Sequence, residues 1–267
     1  MKSLLISASV AFIFLACDKK SDNGISFNFA PKEGQGIIKT QEFVKDFDEI
    51  KVAQSISAEV VKSDQEKVVI SAPSDIIDDI LVENTDGKLY IHFKPNVNIS
   101  ARNVAAKIFA KDFSKIEASS SADIKIKDKF TQDKTDIEVS SSAGISGDLE
   151  ANDLSIEVSS SGTFSGQIWA VNLSSEVNSS GDIKISGKTK NAELDASSSG
   201  TLNAQNVIAE NAEIEASSSG SVSVSVSRQL NASASSSGDI SPVPTLIKVP
   251  VIILIILCKK PSPSNSR

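Results

Sequence analysis

The chain is short of the residues on which most catalysis depends. Its 267 residues include one histidine, one tryptophan, one tyrosine, one methionine, two cysteines and three arginines. General acid–base and nucleophilic mechanisms draw heavily on His, Cys, Tyr and positioned cations. The inventory therefore argues against an enzyme, and no residue is nominated as catalytic. Basic charge is also in deficit, with 27 Lys and Arg against 34 Asp and Glu, a net charge of −7. A chain of that sign repels a phosphate backbone, which argues against a nucleic-acid partner. No phosphate loop, dinucleotide fingerprint or zinc-ligand spacing is present. Long apolar runs are confined to the two ends.

The first of these ends has the layout of a secretory signal. Met1 and Lys2 make a positive start, Leu4 to Phe14 is mostly apolar, and Leu15-Ala16-Cys17 follows. This order predicts a signal peptide over 1–16. Leu-Ala-Cys resembles a bacterial lipobox, which implies lipidation (palmitate among the acyl chains) of Cys17 as the new N-terminus. The polar run Asp18-Lys19-Lys20-Ser21-Asp22-Asn23-Gly24 opens a flexible tether, so 17–36 is read as lipidated cysteine plus linker. Acyl chains contribute ~0.8 kcal/mol per buried methylene, and several together hold a protein at a membrane. The expected address is the bacterial cell envelope, at the outer membrane, with the facing side left open. With Cys17 acylated, Cys258 has no partner for an intramolecular disulfide.

What the chain has in abundance is serine, 47 residues of it, and the serines are periodic. Triplets ending in a small residue recur as Ser119-Ser120-Ser121-Ala122, Ser140-Ser141-Ser142-Ala143, Ser159-Ser160-Ser161-Gly162 and Asn178-Ser179-Ser180-Gly181. They continue as Ser197-Ser198-Ser199-Gly200, Ser217-Ser218-Ser219-Gly220 and Ser235-Ser236-Ser237-Gly238. Successive small residues stand 21, 19, 19, 19, 20 and 18 apart. Helical repeats need about 33 residues or more, so this period suits a coil of short strands.

Apolar columns accompany the triplets. Two residues after each small residue stand Ile124, Ile145, Phe164, Ile183, Leu202, Val222 and Ile240; four before it stand Ala118, Val139, Val158, Val177, Ala196, Ala216 and Ala234. Period-two alternation marks strands with one buried face. The prediction is an all-β chain, a parallel β-solenoid of about 19 residues per coil over 113–241. By the same alternation the middle serine of each triplet and the small residue after it both point inward, making a tight corner.

Upstream, over 37–112, the strand-like triplets Ile50-Lys51-Val52, Val68-Val69-Ile70, Leu89-Tyr90-Ile91 and Ala106-Lys107-Ile108 are also about eighteen to twenty-one residues apart. Their turns vary, and Asp86-Gly87 equally suits a hairpin, so this half is expected to be less regular. Counting these strands gives about ten rungs.

Phe47-Asp48-Glu49-Ile50-Lys51-Val52, Val68-Val69-Ile70-Ser71-Ala72, Asp86-Gly87-Lys88-Leu89-Tyr90-Ile91 and the Ser-Ser-Ser-Gly-Asp-Ile repeats together resemble the head-GIN-domain family of bacterial envelope proteins, over about Ile37 to Ile240. The resemblance implies a β-helical, adhesin-like, often lipid-anchored domain without an assigned activity or catalytic residues. It leads to a non-catalytic binding or scaffolding role toward a glycan, matrix polymer or envelope protein. The alternative is a carbohydrate-active β-helical enzyme acting on polysaccharide. The end over 242–267 departs from the pattern, with Pro242-Val243-Pro244 and an apolar run to Cys258. At 13 residues, Leu246–Cys258 is too short for a spanning helix of about 20. It is read as a frame slip or degenerate end; a capping strand and a second membrane contact are the alternatives.

One column carries charge. Five residues before each small residue stand Glu117, Glu138, Glu157, Glu176, Asp195 and Glu215, then Ser233. Chance would place about one acid among these seven positions. Their parity is outward, so stacked coils would form a carboxylate ladder in which neighbours at ~4.8 Å repel by ~0.9 kcal/mol in water. The column is read as a solvated acidic stripe that blocks edge pairing; weak Ca²⁺ binding, which would relieve the repulsion, is the alternative. No other cofactor is expected. His92 lacks a second ligand nearby. Trp169, near a turn, is expected to be partly buried, with stacking on a sugar ring as the other reading.

Overall fold

A computed structural model describes residues 31–244 and the backbone strand at 252–257. The signal peptide, Cys17 and the first part of the tether lie outside the described residues, as do 245–251 and 258–267. Among the described residues eighteen strands form one continuous sheet system. The N-terminal part comprises β1 (Ile38–Val44), β2 (Glu49–Val52), β3 (Ser57–Lys62), β4 (Lys67–Pro73), β5 (Ile80–Thr85), β6 (Lys88–Phe93) and β7 (Ala105–Ala110). The repeats supply β8 (Lys115–Ala118), β9 (Asp123–Ile126), β10 (Phe130–Val139), β11 (Gly144–Ser146), β12 (Leu149–Val158), β13 (Thr163–Val177), β14 (Asp182–Ala196), β15 (Thr201–Ala216) and β16 (Ser221–Ala234). β17 (Asp239–Pro244) and β18 (Ile252–Leu257) complete the chain order.

From β8 onward every pairing is parallel and each coil lies on the one before it. Ile116, Ile137, Ile156, Ser175, Leu194, Ile214 and Ala232 stack residue on residue. The fold is a β-solenoid of about 7 turns with ~19 residues per turn. The predicted apolar columns are its core, and Phe113, Phe130 and Phe164 are among its largest fully buried side chains. Ser175 interrupts one column; at 2% exposure its hydroxyl has no hydrogen-bond partner.

The serine triplets do make the corners, but the middle serine points outward. Ser120, Ser141, Ser160, Ser179, Ser198, Ser218 and Ser236 are exposed, as are the serines that follow them, while the small residue of each of the first six corners is buried. The reason is backbone handedness. The second and third residues of each triplet both have positive φ, 51° and 62° at Ser160 and Ser161, for example. Two consecutive left-handed residues break the extended pleat, so counting by twos through the corner gives the wrong face. Each such residue costs about 1–2 kcal/mol. Corner-to-corner bonds offset that cost: the amide of Ser142 donates to the carbonyl of Ser160 at 3.0 Å, Ser161 to Ser179 at 3.1 Å and Ser199 to Ser218 at 3.1 Å. The small residue seats against the coil below, and a Cβ on Gly220 would lie 2.3 Å from the carbonyl oxygen of Ala196.

The N-terminal half departs from chain order. β2 pairs in parallel with both β6 and β8, and β3 with both β7 and β9. The coil made first in sequence is thus sandwiched between one made later and the repeats. Its corner is Gln54-Ser55, with φ of 61° and 60°, and Ser55 donates to Ser120 at 2.8 Å, so it is a serine-type corner without the triplet. β5 and β6 form an antiparallel hairpin across Asp86-Gly87. β4 runs antiparallel to β7 and to β1, so Val68-Val69-Ile70 is not a coil strand. Equal spacing along the chain did not report stacking order, and the ten-rung count is corrected accordingly. At the other end pairing does not stop at Ile240. β17 lies on 221–226 of β16, and β18 on 229–234, which is the geometry of a capping strand.

Candidate functional site

The carboxylate ladder is in register as predicted, Glu117 on Glu138 on Glu157 on Glu176 on Asp195 on Glu215. Its two ends differ. Next to Glu117 in the stack is Lys51, which ion-pairs with it, and Lys88 approaches it to 3.6 Å. Lys115 bonds Glu138. Burial works against the Lys115 ammonium, but the Glu138 bond, with Glu117 and Glu49 nearby, holds its pKa above the ordinary lysine value. Further along no lysine pairs with Glu157, Glu176, Asp195 or Glu215 among the described residues. There the pKa of Asp195 is raised, first by burial and then by Glu215, Glu193 and Glu176. A groove of about 160 Å³ runs beside Glu117, Glu138, Glu157 and Glu176. Among the described residues no three carboxylate, imidazole or thiol groups converge to hold a metal ion.

A second ladder escaped the sequence reading. Nine residues before each of the last six small residues stand Lys134, Asp153, Asn172, Asn191, Asn211 and Gln229. Asn172 donates to the Asp153 carboxylate at 2.7 Å, Asn191 to Asn172 at 2.9 Å and Asn211 to Asn191 at 3.0 Å. The chain turns here so that the next position, Leu154, Leu173 or Ala192, is buried while both neighbours face out. The result is a groove of about 530 Å³ crossing six coils, edged by the amides on one side and by Asp136, Ser155, Ser174, Glu193 and Glu213 on the other. Counting back nine from each glycine would have revealed the column.

Trp169 is 46% exposed, so the expectation of partial core burial is corrected. Its backbone pairs with Glu150 in one neighbouring coil and Lys188 in the other. Hollows lie on both sides of it, one of about 540 Å³ and one of about 220 Å³. His92 is packed: it stacks on Tyr90 at 4.0 Å, its Nε2 is 3.2 Å from Glu83 and its Nδ1 is 2.8 Å from the Phe93 carbonyl. Among the described residues no helix is long and apolar enough to cross a membrane.

The chain belongs to the family described as "Putative auto-transporter adhesin, head GIN domain", whose model matches residues 46–243. Solved structures share the fold. A "putative adhesin" from Parabacteroides distasonis ATCC 8503 superposes with a TM-score of 0.77 at 20% identity, covering 84% of this chain and 95% of the other. A second, from Parabacteroides merdae ATCC 43184, gives 0.72 at 19% identity over 85% and 95%. A "Putative lipid binding protein" from Parabacteroides distasonis ATCC 8503 gives 0.72 at 22% identity over 86% and 98%. At these identities the likeness is one of fold. Comparison with curated proteins gave no match.

Proposed function

We propose that this is a non-catalytic protein of the bacterial cell envelope, anchored at the outer membrane through a lipid on Cys17, whose solenoid binds an extended partner. The observation that carries the reading is the groove of about 530 Å³ that follows the stacking axis past Asp153, Asn172, Asn191 and Asn211. Successive coils offer polar groups about 4.8 Å apart, among them the amides of Asn172, Asn191, Asn211 and Gln229, the hydroxyls of Ser155 and Ser174 and the carboxylates of Glu193 and Glu213. A linear partner laid along the axis gains from repetition, because each further contact is intramolecular once the first has formed. The partner is a glycan, a matrix polymer or an elongated envelope protein, and the adhesin descriptions of the family and its structural neighbours agree with that class.

The test is protease shaving of intact cells, with a periplasmic control protein and a lysed sample. It is combined with co-sedimentation of the protein with envelope polymer fractions. Loss from intact cells supports outward adhesion, whereas survival until lysis overturns adhesion and leaves internal scaffolding. An Asn191→Arg variant, which fills the groove, is expected to lose co-sedimentation; unchanged co-sedimentation removes the groove from the proposal.

A further inference from the structure

The chain has a single tryptophan, and it stands half-exposed on a stiff parallel stack between two hollows. An indole left in water forfeits the apolar burial for which such a side chain is otherwise used. Gly147 and Gly187 are among the residues lining the larger hollow, and at Gly187, with φ of +124°, a Cβ would lie 1.9 Å from the Ile168 carbonyl oxygen, so only glycine allows the two coils to approach this closely there. The smaller hollow is bordered by polar groups, with Asn152 donating to Asp133 at 2.9 Å.

Charge around the indole is uneven in its commitments. Lys129 ion-pairs with Glu150, and Lys127 is 3.8 Å from Glu59. Lys188, beside Trp169 in the next coil, has no ion-pair partner among the described residues. A flat aromatic face, amide and carboxylate groups at its margins and one free ammonium together suit a sugar ring. The ring's C–H face covers the indole, its hydroxyls meet the polar margins, and an acidic substituent meets the lysine.

We infer that Trp169 is the stacking platform of a glycan site that takes a carboxylate-bearing sugar, with Lys188 holding the carboxylate. The inference goes beyond the groove of the proposed binding role, since the hollows beside Trp169 share no lining residue with it. The polar hollows on both sides give room for the rings that precede and follow the stacked one, so the ligand is an oligosaccharide rather than a single sugar. A peptide or a lipid surface would call for a broader apolar area than one indole supplies.

Because Trp169 is the only tryptophan, its fluorescence reports the site directly. The full mature protein is titrated with oligogalacturonate and, separately, with neutral cello-oligosaccharide, in the millimolar range, by tryptophan emission and calorimetry. The expected result is a saturable response to oligogalacturonate and a weaker one to the neutral sugar. Trp169→Ala should weaken binding measured by calorimetry about tenfold or more, with Trp169→Phe recovering part of it. Lys188→Gln should remove the preference for the acidic sugar, about three- to tenfold, and leave neutral binding alone. Melting curves of the variants confirm folding, which an exposed position should not disturb. Acidic-sugar binding unchanged in Trp169→Ala, or no heat and no emission change with either sugar, overturns the inference. A response only to phosphatidylcholine vesicles or to a peptide overturns it in favour of that class. The outcome is separable from the envelope role, since purified sugars test the site wherever the protein faces.

Discussion

The two halves of this molecule use the same rung but assemble it differently. In the repeats, chain order and stacking order coincide, and each coil needs only the one before it. In the N-terminal half, β2 and β3 sit between strands that come later, and antiparallel β1, β4 and β5 close the end. A solenoid can be extended coil by coil, whereas its end has to be built as one unit, because an open parallel edge invites pairing with other chains.

The corners should give the largest effects. Gly220→Ala puts a methyl 2.3 Å from a carbonyl oxygen and is expected to cost about 3 kcal/mol by urea unfolding. Ala143→Gly, at the matching position of an earlier and longer coil, should cost only about 1 kcal/mol, the ordinary penalty of a glycine. Equal losses would mean that the corners are alike throughout the repeats. A smaller effect of opposite sign is expected at Ser175. Its buried hydroxyl has no partner, so Ser175→Ala should raise the urea midpoint, by about 1 kcal/mol in stability.

Charge gives a finer contrast, best read as a pH dependence. Asp75, against the N-terminal cap, accepts the amides of Gly36 and Gln35, which hold its pKa below the usual carboxylate value. Its contribution is present above that usual value and is lost as pH falls through the lowered one. Asp195 in the repeats is raised, so its contribution is unfavourable, appearing as pH climbs through the raised value and absent below the usual one. The stability deficit of Asp75→Asn should therefore vanish on acidification, and so should the stability gain of Asp195→Asn, from the opposite side. Melting midpoints of the two variants across the acid range check both signs. Smallest of all should be the effect of calcium. Millimolar Ca²⁺ should move the melting midpoint no more than sodium chloride of equal ionic strength, since the ladder offers stacked carboxylates rather than a converging set.

The repeats were legible because their columns are apolar and extended, and period two holds along extended backbone. Spacing alone puts Ile145, Phe164 and Ile183 on the inner face, and they lie there. Legibility failed wherever the backbone left that regime. Ser160 was turned outward by two left-handed residues, and Gln54-Ser55 made the same corner with different letters. The Asn172–Asn191–Asn211 ladder is as periodic as the acidic one and went uncounted because amides carry neither charge nor strong hydropathy. Trp169 faces out because its position in the coil, shared with Glu150 and Lys188, is an outward one, a point that its large apolar side chain obscured. Asp86-Gly87 announced its hairpin, but nothing local to Val68-Val69-Ile70 distinguishes an antiparallel strand from a parallel one.

The sandwiched first coil has a mechanical side. A pull on the N-terminus, once past the Lys32–Ile99 bridge and the Gln35 and Gly36 amides on Asp75, meets β1, paired along its length with β4, and then β2, held by a parallel neighbour on each side. The first can be stripped one bond at a time; the second has to slide past both partners at once. Tension arriving from an anchor would thus be arrested at β2, before it reached the coils that carry the grooves.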